Sequence, residues 1–270
     1  MVEYYHRAVV AHLIGFDRPL VLDVEPIAPG EGEGVAAERL VERLVRHYPR
    51  FFDALVADAA YLQRPFLERC RRHGKHVLAV LKQNNPALLQ EARALLNGPP
   101  QWEGTLQGRQ TRLWDQEGFS IDSPALGALR IIRSEETTAR RRRIDHQWVH
   151  EPLHAEWFWA TTIPQELLPA RQLCQIGHER WSIENRVFNH LGAHWSLNHC
   201  FHHRPAAIVN FWLILFMAHT WIGCFAARNL KPPLREQLSL IEVARLILID
   251  LASLGRWRAP WLDLLQRPPP

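Results

Sequence analysis

Apolar positions recur with two different periods along the chain, and each change of period marks a new element. Tyr4 to Ile14 and Pro19 to Ile27 are β-rich runs on either side of the turn-like GFDRP, which predicts an antiparallel hairpin. After the loop PGEGEG the period lengthens. Leu40, Val41 and Leu44 fall on one side of a helix over Ala36 to His47, and Glu38, Arg39, Glu42, Arg43 and Arg46 on the other. Ala54 to Ala57 is a short apolar run ending in Asp58. The break Tyr61 to Pro65, a basic helix through Arg72 and a second apolar run, Val77 to Leu81, follow it. Strand, helix, strand predicts a parallel pair, because a helical crossover is what joins parallel neighbours.

Beyond Lys82 the pattern changes. Pro86 to Leu96 reads as a helix stopped by the NGPP breaker at Asn97 to Pro100. Four β-prone pieces come next, Trp102 to Trp114, Leu129 to Glu135, Trp148 to Val149 and Trp157 to Thr162, and predict a mostly β insertion. In Arg171 to Arg204, Trp181, Glu184, Phe188 and Leu191 recur at i, i+3, i+7 and i+10, placing a carboxylate in an apolar helical face. An ionised Glu facing a core costs several kcal/mol unless neutralised. It is either an ordinary rim residue paired with Arg180 or Arg186, or a carboxylate kept for chemistry. Ala206 to Ala227 holds no formally charged residue and is long enough to span a bilayer. Asn210, His219, Thr220 and the lack of a second such segment favour a core helix instead. A break at Leu230 to Pro233, an amphipathic helix over Leu238 to Leu254 and the proline-ended tail GRWRAPWLDLLQRPPP complete the chain.

Composition narrows the classes. The 270 residues are 47% hydrophobic and 22% charged, enough for one sizeable core or two small ones. A net charge of +4 and a pI near 9.1 give a mild bias toward polyanions. Cys70, Cys174, Cys200 and Cys224 form no CxxC pair, which argues for a reducing cytoplasm and against a disulfide framework or zinc ribbon. The N-terminal MVEYYHRAVV lacks the pattern of a signal peptide. Thr138 to Arg143, TARRRR, is either a phosphate-binding footprint through Arg140, Arg141, Arg142 and Arg143 or a solvated basic loop; both readings require exposure. His190, His194, His199, His202 and His203 cluster with Cys200, but His199 and His203 at i, i+4 have no evident second ligand pair, so zinc is not favoured.

Two stretches carry a family resemblance. RWSIEN, with Arg180 four residues before Glu184, resembles the last catalytic motif of the DDE transposases of bacterial insertion sequences. The apolar strand leading into Asp58-Ala59, followed by LKQNNP at the end of the next strand, resembles the setting of the second catalytic Asp. The resemblance implies an α/β fold: an RNase H-like mixed sheet with flanking helices, a mostly β insertion and a helical C-terminal part. It also implies two divalent metals, Mg2+ or Mn2+ in its place, held by three carboxylates. Asp58 and Glu184 are then catalytic residues and metal ligands, and Arg180, Lys82 and Arg140 to Arg143 contact DNA. Implied partners are terminal inverted repeats, target DNA and further copies of the chain, in the cytoplasm and away from membranes. For Asp58 the bland alternative is a helix N-cap or strand-end residue. The family's Tyr three residues before the Arg falls on Gly177, and its Lys seven residues after the Glu falls on Leu191.

The family's first catalytic Asp lies on a strand upstream of such a hairpin and is followed by Gly. No Asp-Gly precedes Asp58, and Asp23 sits in LVLDVEP, where alternation makes it a solvent-facing or loop-proximal residue. The expectation is therefore a truncated chain: residues 1–82 a core without its first strand, 83–170 the insertion, 171–204 the catalytic Glu helix, 205–270 C-terminal helices. The first Asp is the bridging carboxylate of two-metal chemistry, so its loss would cost hard divalent ions much of their affinity. Two functions remain in view: a transposase that cuts and joins DNA, or an inactive remnant that only binds DNA or partner subunits.

Overall fold

The computed structural model describes residues 6–15, 20–121, 123, 125–144 and 147–253; the turn of the first hairpin and the C-terminal tail lie outside them. The described residues form two compact units, one drawn from residues 6–15 and 21–186, the other from residues 20 and 187–253.

In the first unit, β1 (Ala8–Leu13) and β2 (Leu20–Pro26) make a two-stranded sheet. Helix α1 (Glu33–His47) packs on β1 and turns Arg39 and Arg43 toward β2. Arg43 Nε lies 2.8 Å from Asp23, and Arg39 Nε 2.7 Å from the buried Glu25. Asp23 is thus held by an arginine of α1 and does not face open solvent as alternation suggested; the helix laid over the strand supplies its cation.

Six further strands form one mixed sheet in the order β3-β4-β8-β7-β6-β5: β3 (Ala54–Ala57), β4 (His76–Val80), β5 (Trp102–Leu106), β6 (Arg109–Phe119), β7 (Leu129–Ile144) and β8 (Gln147–Thr161). β3 and β4 are parallel and joined by α2 (Arg64–Arg72), as strand, helix, strand predicts. All other pairings are antiparallel. The four short β pieces of the sequence are two hairpins. The second, β7 with β8, runs in unbroken register from Arg130–Thr161 to Ile144–Gln147. Its far half is polar, which hid it from a reading based on apolar runs. β8 also pairs with β4, so these strands continue the sheet of β3 and β4.

Alternation divides the core between the two faces. Val77, Ala79, Phe158 and Ala160 join Val41 of α1, Phe66 and Leu67 of α2 and Leu88 and Leu89 of α3 (Pro86–Leu95). Leu78, Val80, Ile132 and Trp159 face the opposite way, against Leu173 and Cys174 of α4 (Ala170–Glu179). β4 is covered on both faces, which is why it reads as a continuous apolar run. Val9 of β1 and Leu55 and Ala57 of β3 pack against the same cluster although they belong to different sheets.

The second unit is helical: α5 (Asn189–His194), α6 (Pro205–Asn229), α7 (Pro232–Gln237) and α8 (Leu240–Ser253). Ser239 and Glu242 cap α8 reciprocally. α6 packs against α8 and buries Ile208, Leu215, Phe216, His219, Gly223 and Ala226 along one stripe. Leu213, Ile214, Met217, Trp221 and Phe225 stay exposed. The helix is long and apolar enough to cross a membrane, and only 28% of its most apolar stretch is buried, less than a core helix implies. Burial depresses the His219 pKa to about 4, with His190 adding to the effect, so its ring is neutral near pH 7.

Candidate active site

Asp58 follows the last residue of β3, where a parallel strand hands the chain to the surface. Its side chain accepts from Ala59 N at 2.8 Å and caps the 3-10 turn Ala59–Tyr61. The cap predicted as the bland reading is therefore real, but it leaves the carboxylate 46% exposed with its second oxygen free of that bond. The LKQNNP stretch explains how the turn is held. Asn84 Nδ2 donates to Ala59 O at 2.6 Å, Asn85 Nδ2 donates to Leu62 O at 2.8 Å, and Lys82 brings its ammonium to 3.8 Å from Asp58.

Arg180 closes α4 and joins the two expected carboxylates. Its Nη1 lies 3.4 Å from Glu184 and 3.9 Å from Asp58. The guanidinium also stacks over Trp181 at 4.6 Å, and its Nε is buried without a hydrogen-bond partner. Glu184 does not occupy an apolar face. Ile183–Phe188 is a π-helical turn, whose wider winding breaks the 3.6-residue spacing. Val187 is buried in this turn, while the Glu184 carboxylate is 52% exposed. The rim pair with Arg180 is present, yet at these lengths it is weak and open to exchange.

Two other elements approach the same place. His12 of β1 shares a 2.6 Å hydrogen bond with Ser182 Oγ, and burial, with Arg186 nearby, lowers its pKa to about 4. Tyr61 donates to Glu33 of α1; burial, that bond and the charge of Asp58 push its phenol well above the ordinary range. Neither His12 nor Glu33 carries a sequence signal that sets it apart.

Gly177, where the resembled family has Tyr, is fixed by packing. A Cβ there would stand 2.8 Å from the Trp159 ring, so the indole fills the space a side chain would take. Arg140 to Arg143 lie in β7, not in a loop. Arg141 and Arg143 are exposed, and Arg141 stacks over Trp148 at 4.2 Å. They pair with residues 148–151 of β8, whereas β8 meets β4 at residues 159–161. At about 3.3 Å per residue the basic run is roughly 30 Å along the strand from the β4 neighbourhood. The fold brings together Asp58, Glu184, Arg180 and Lys82, and leaves the arginine run elsewhere.

A second polar group lies beneath α4 and was missed. Glu136 is 4% exposed; His178 Nε2 is 2.6 Å from it, Cys174 Sγ donates at 3.6 Å, Ser134 Oγ donates at 3.1 Å, and Arg109 lies 3.6 Å away. Burial pushes the Glu136 pKa up, but His178, Ser134 and Arg109 outweigh it and the net shift is downward. Burial and Glu136 push the Cys174 thiol up to about 12. Strand alternation does put Arg130, Ser134 and Glu136 on one face with Ile132, a signal that gains meaning only once α4 is known to cover that face.

The chain matches the Transposase DDE domain family over residues 6–221. It belongs to that family. No curated protein matches it. The mixed α/β architecture is consistent with the RNase H-like fold, and membership implies DNA as a partner and divalent metal ions as cofactors. Asp58 and Glu184 offer oxygen donors only, half exposed and within reach of one guanidinium, a donor set that suits a hard divalent cation. Among the described residues, the group of three possible metal ligands whose donor atoms lie within mutual reach is Glu136, Cys174 and His178. Its carboxylate already takes hydrogen bonds from Ser134 and Cys174 and shares one with His178, inside the core.

Proposed function

We propose that this DDE transposase cuts and joins DNA strands at the ends of an insertion sequence, with Asp58 and Glu184 as catalytic metal ligands. The observation that carries the reading is the convergence of these carboxylates, from the end of β3 and the turn after α4, on Arg180. Mg2+, or Mn2+ in its place, would polarise a phosphate oxygen and lower the pKa of an attacking water or 3′-hydroxyl. The chain's own contribution is positional. Asn84 and Asn85 hold the Asp58 turn, and Arg180 and Lys82 balance the carboxylate charge and are placed to meet phosphate oxygens. The exposed arginines of β7, with Trp148 beside them, make a separate DNA contact. The cytoplasm suits four free cysteines, two of them buried.

The missing element of this reading is a third carboxylate. β3 ends the order of the six-stranded sheet, β1 lies in another sheet, and both rest on one core cluster. The second reading, DNA binding without cleavage, is favoured by Arg180 meeting two carboxylates, Asp58 and Glu184, among the described residues. Incubating the purified chain with duplex ending in the element's terminal repeat, with and without Mg2+ or Mn2+, separates the two. Metal-dependent nicking that Asp58→Asn abolishes supports the enzyme. DNA retention with no nicking supports the binding reading.

A further inference from the structure

The polar group beneath α4 brings three kinds of ligand atom to one place. Cys174 and His178 stand four residues apart and so project from one face of the helix, and Glu136 of β7 meets them both. Their sulfur, nitrogen and oxygen donors all lie within 4.8 Å of one another. Cys174 Sγ is 3.6 Å and His178 Nε2 is 2.6 Å from the same oxygen, Glu136 Oε1, and Ser134 Oγ is 3.1 Å from it. One oxygen has two lone pairs, so as a purely hydrogen-bonded cluster this one is short of acceptors.

An ion among the three donors removes the shortage. In a tetrahedral site with bonds of about 2.0–2.3 Å, ligand atoms stand roughly 3.3–3.7 Å apart. The sulfur–oxygen edge already has that length, and the nitrogen–oxygen edge reaches it by opening roughly 0.7 Å as the ion takes the place of the shared hydrogen. The surroundings fit as well. Rings of Trp157, Trp159 and Trp181 enclose the His178 imidazole at centroid distances of 5.8, 5.4 and 5.8 Å, an apolar wall outside the polar ligands that fixes the ring. Glu136 also lines a cleft with Glu103, Gln110 and Thr111, which gives an ion a path inward. Thiolate and imidazole select Zn2+ and its neighbours, whereas the oxygen donors of Asp58 and Glu184 suit Mg2+. A thiolate, a carboxylate and Zn2+ sum to zero charge, so Arg109, 3.6 Å from Glu136 Oε2, faces a neutral centre.

We propose that Glu136, Cys174 and His178 bind one zinc-class divalent ion, with water from the cleft as fourth ligand, and that the ion clamps α4 to β7. The site is separate in ligand chemistry from Asp58 and Glu184, and its role is structural: it fixes the helix that ends at Arg180. Without the ion the Cys174 thiol is protonated at neutral pH, so binding releases a proton.

The test uses the full chain, stripped with chelator and titrated with Zn2+ by calorimetry in buffers of different ionisation enthalpy, and with Co2+ by visible absorption. One equivalent of Zn2+ bound with proton release, and a tetrahedral Co2+ spectrum with a thiolate charge-transfer band, are expected. Cys174→Ser should abolish that band and weaken Zn2+ binding by at least about tenfold, the loss that even an outer-shell change can produce. Cys200→Ser, which alters the exposed cysteine beside His203, should leave both unchanged. X-ray absorption on the zinc-loaded wild-type chain counts the ligands without relying on any variant; one sulfur among four ligands is expected. Absence of stoichiometric Zn2+ binding, a ligand shell without sulfur, or a charge-transfer band that survives Cys174→Ser and vanishes in Cys200→Ser would overturn the proposal.

Discussion

Arg130 and Arg180 are both arginines enclosed by oxygen atoms in the same unit, and they differ in how well they are satisfied. Arg130 is 2% exposed. It grips Asp115 with Nε at 2.7 Å and Nη2 at 2.8 Å, while Nη1 donates to Leu168 O at 2.7 Å and Pro164 O at 3.2 Å. It ties β6 and β7 to the segment that enters α4, and each of its three nitrogens has a partner. Arg180 instead reaches Asp58 and Glu184 at 3.9 and 3.4 Å, both carboxylates open to solvent, and leaves its own Nε without a partner. A saturated ion pair fixes structure; an unsaturated one, at the mouth of two strand and helix ends, is available to a metal, a phosphate or a nucleophile.

That contrast can be broken by mutation. Arg130→Met should have the largest effect, about 3–5 kcal/mol of lost stability, because Asp115 and the carbonyls of Leu168 and Pro164 lose a buried cation; denaturant unfolding measures it, and a loss below 1 kcal/mol would erase the distinction. Gly177→Ala should cost about 1–3 kcal/mol, since its Cβ meets the Trp159 ring and either the ring or α4 must shift. A wild-type melting profile for this variant would show that α4 does not lie on Trp159 as described.

Glu136→Gln should cost less, about 1 kcal/mol near neutral pH, and its signature is a pH dependence. The folded pKa of Glu136 lies below its ordinary 4.5, so its contribution is complete above that value and declines as pH falls through the folded pKa. The wild-type chain should lose stability in acid below about 4.5 more steeply than the variant; parallel curves would show that Glu136 is not held by His178 as a charged group.

Asp58→Asn and Glu184→Gln should change stability least, within about 0.5 kcal/mol, because exposed pairs at these lengths hold little energy. Metal-dependent DNA cleavage should nevertheless disappear. Destabilisation by either variant on the scale of Arg130→Met would place these carboxylates among the structural pairs.

The elements of the first unit were largely legible in the sequence. β3 matches the expected bounds, β4 and α3 differ from them by a residue, and the parallel pair follows from the intervening helix, since alternation and helical spacing are local properties. The motifs around Asp58 and Glu184 are local as well, whereas the approach of both carboxylates to Arg180 comes from the fold. Other features were settled by contacts between distant segments. The π-helical turn removed Glu184 from the apolar face that regular spacing gave it, and a polar hairpin turned TARRRR from a loop into strand. Arg39 and Arg43 of α1 claimed Asp23 and Glu25, and α4 covered Glu136. Period and composition fix which face of an element is apolar, but the partner of a buried polar group comes from whatever element lands on it, and that is a property of the packed chain.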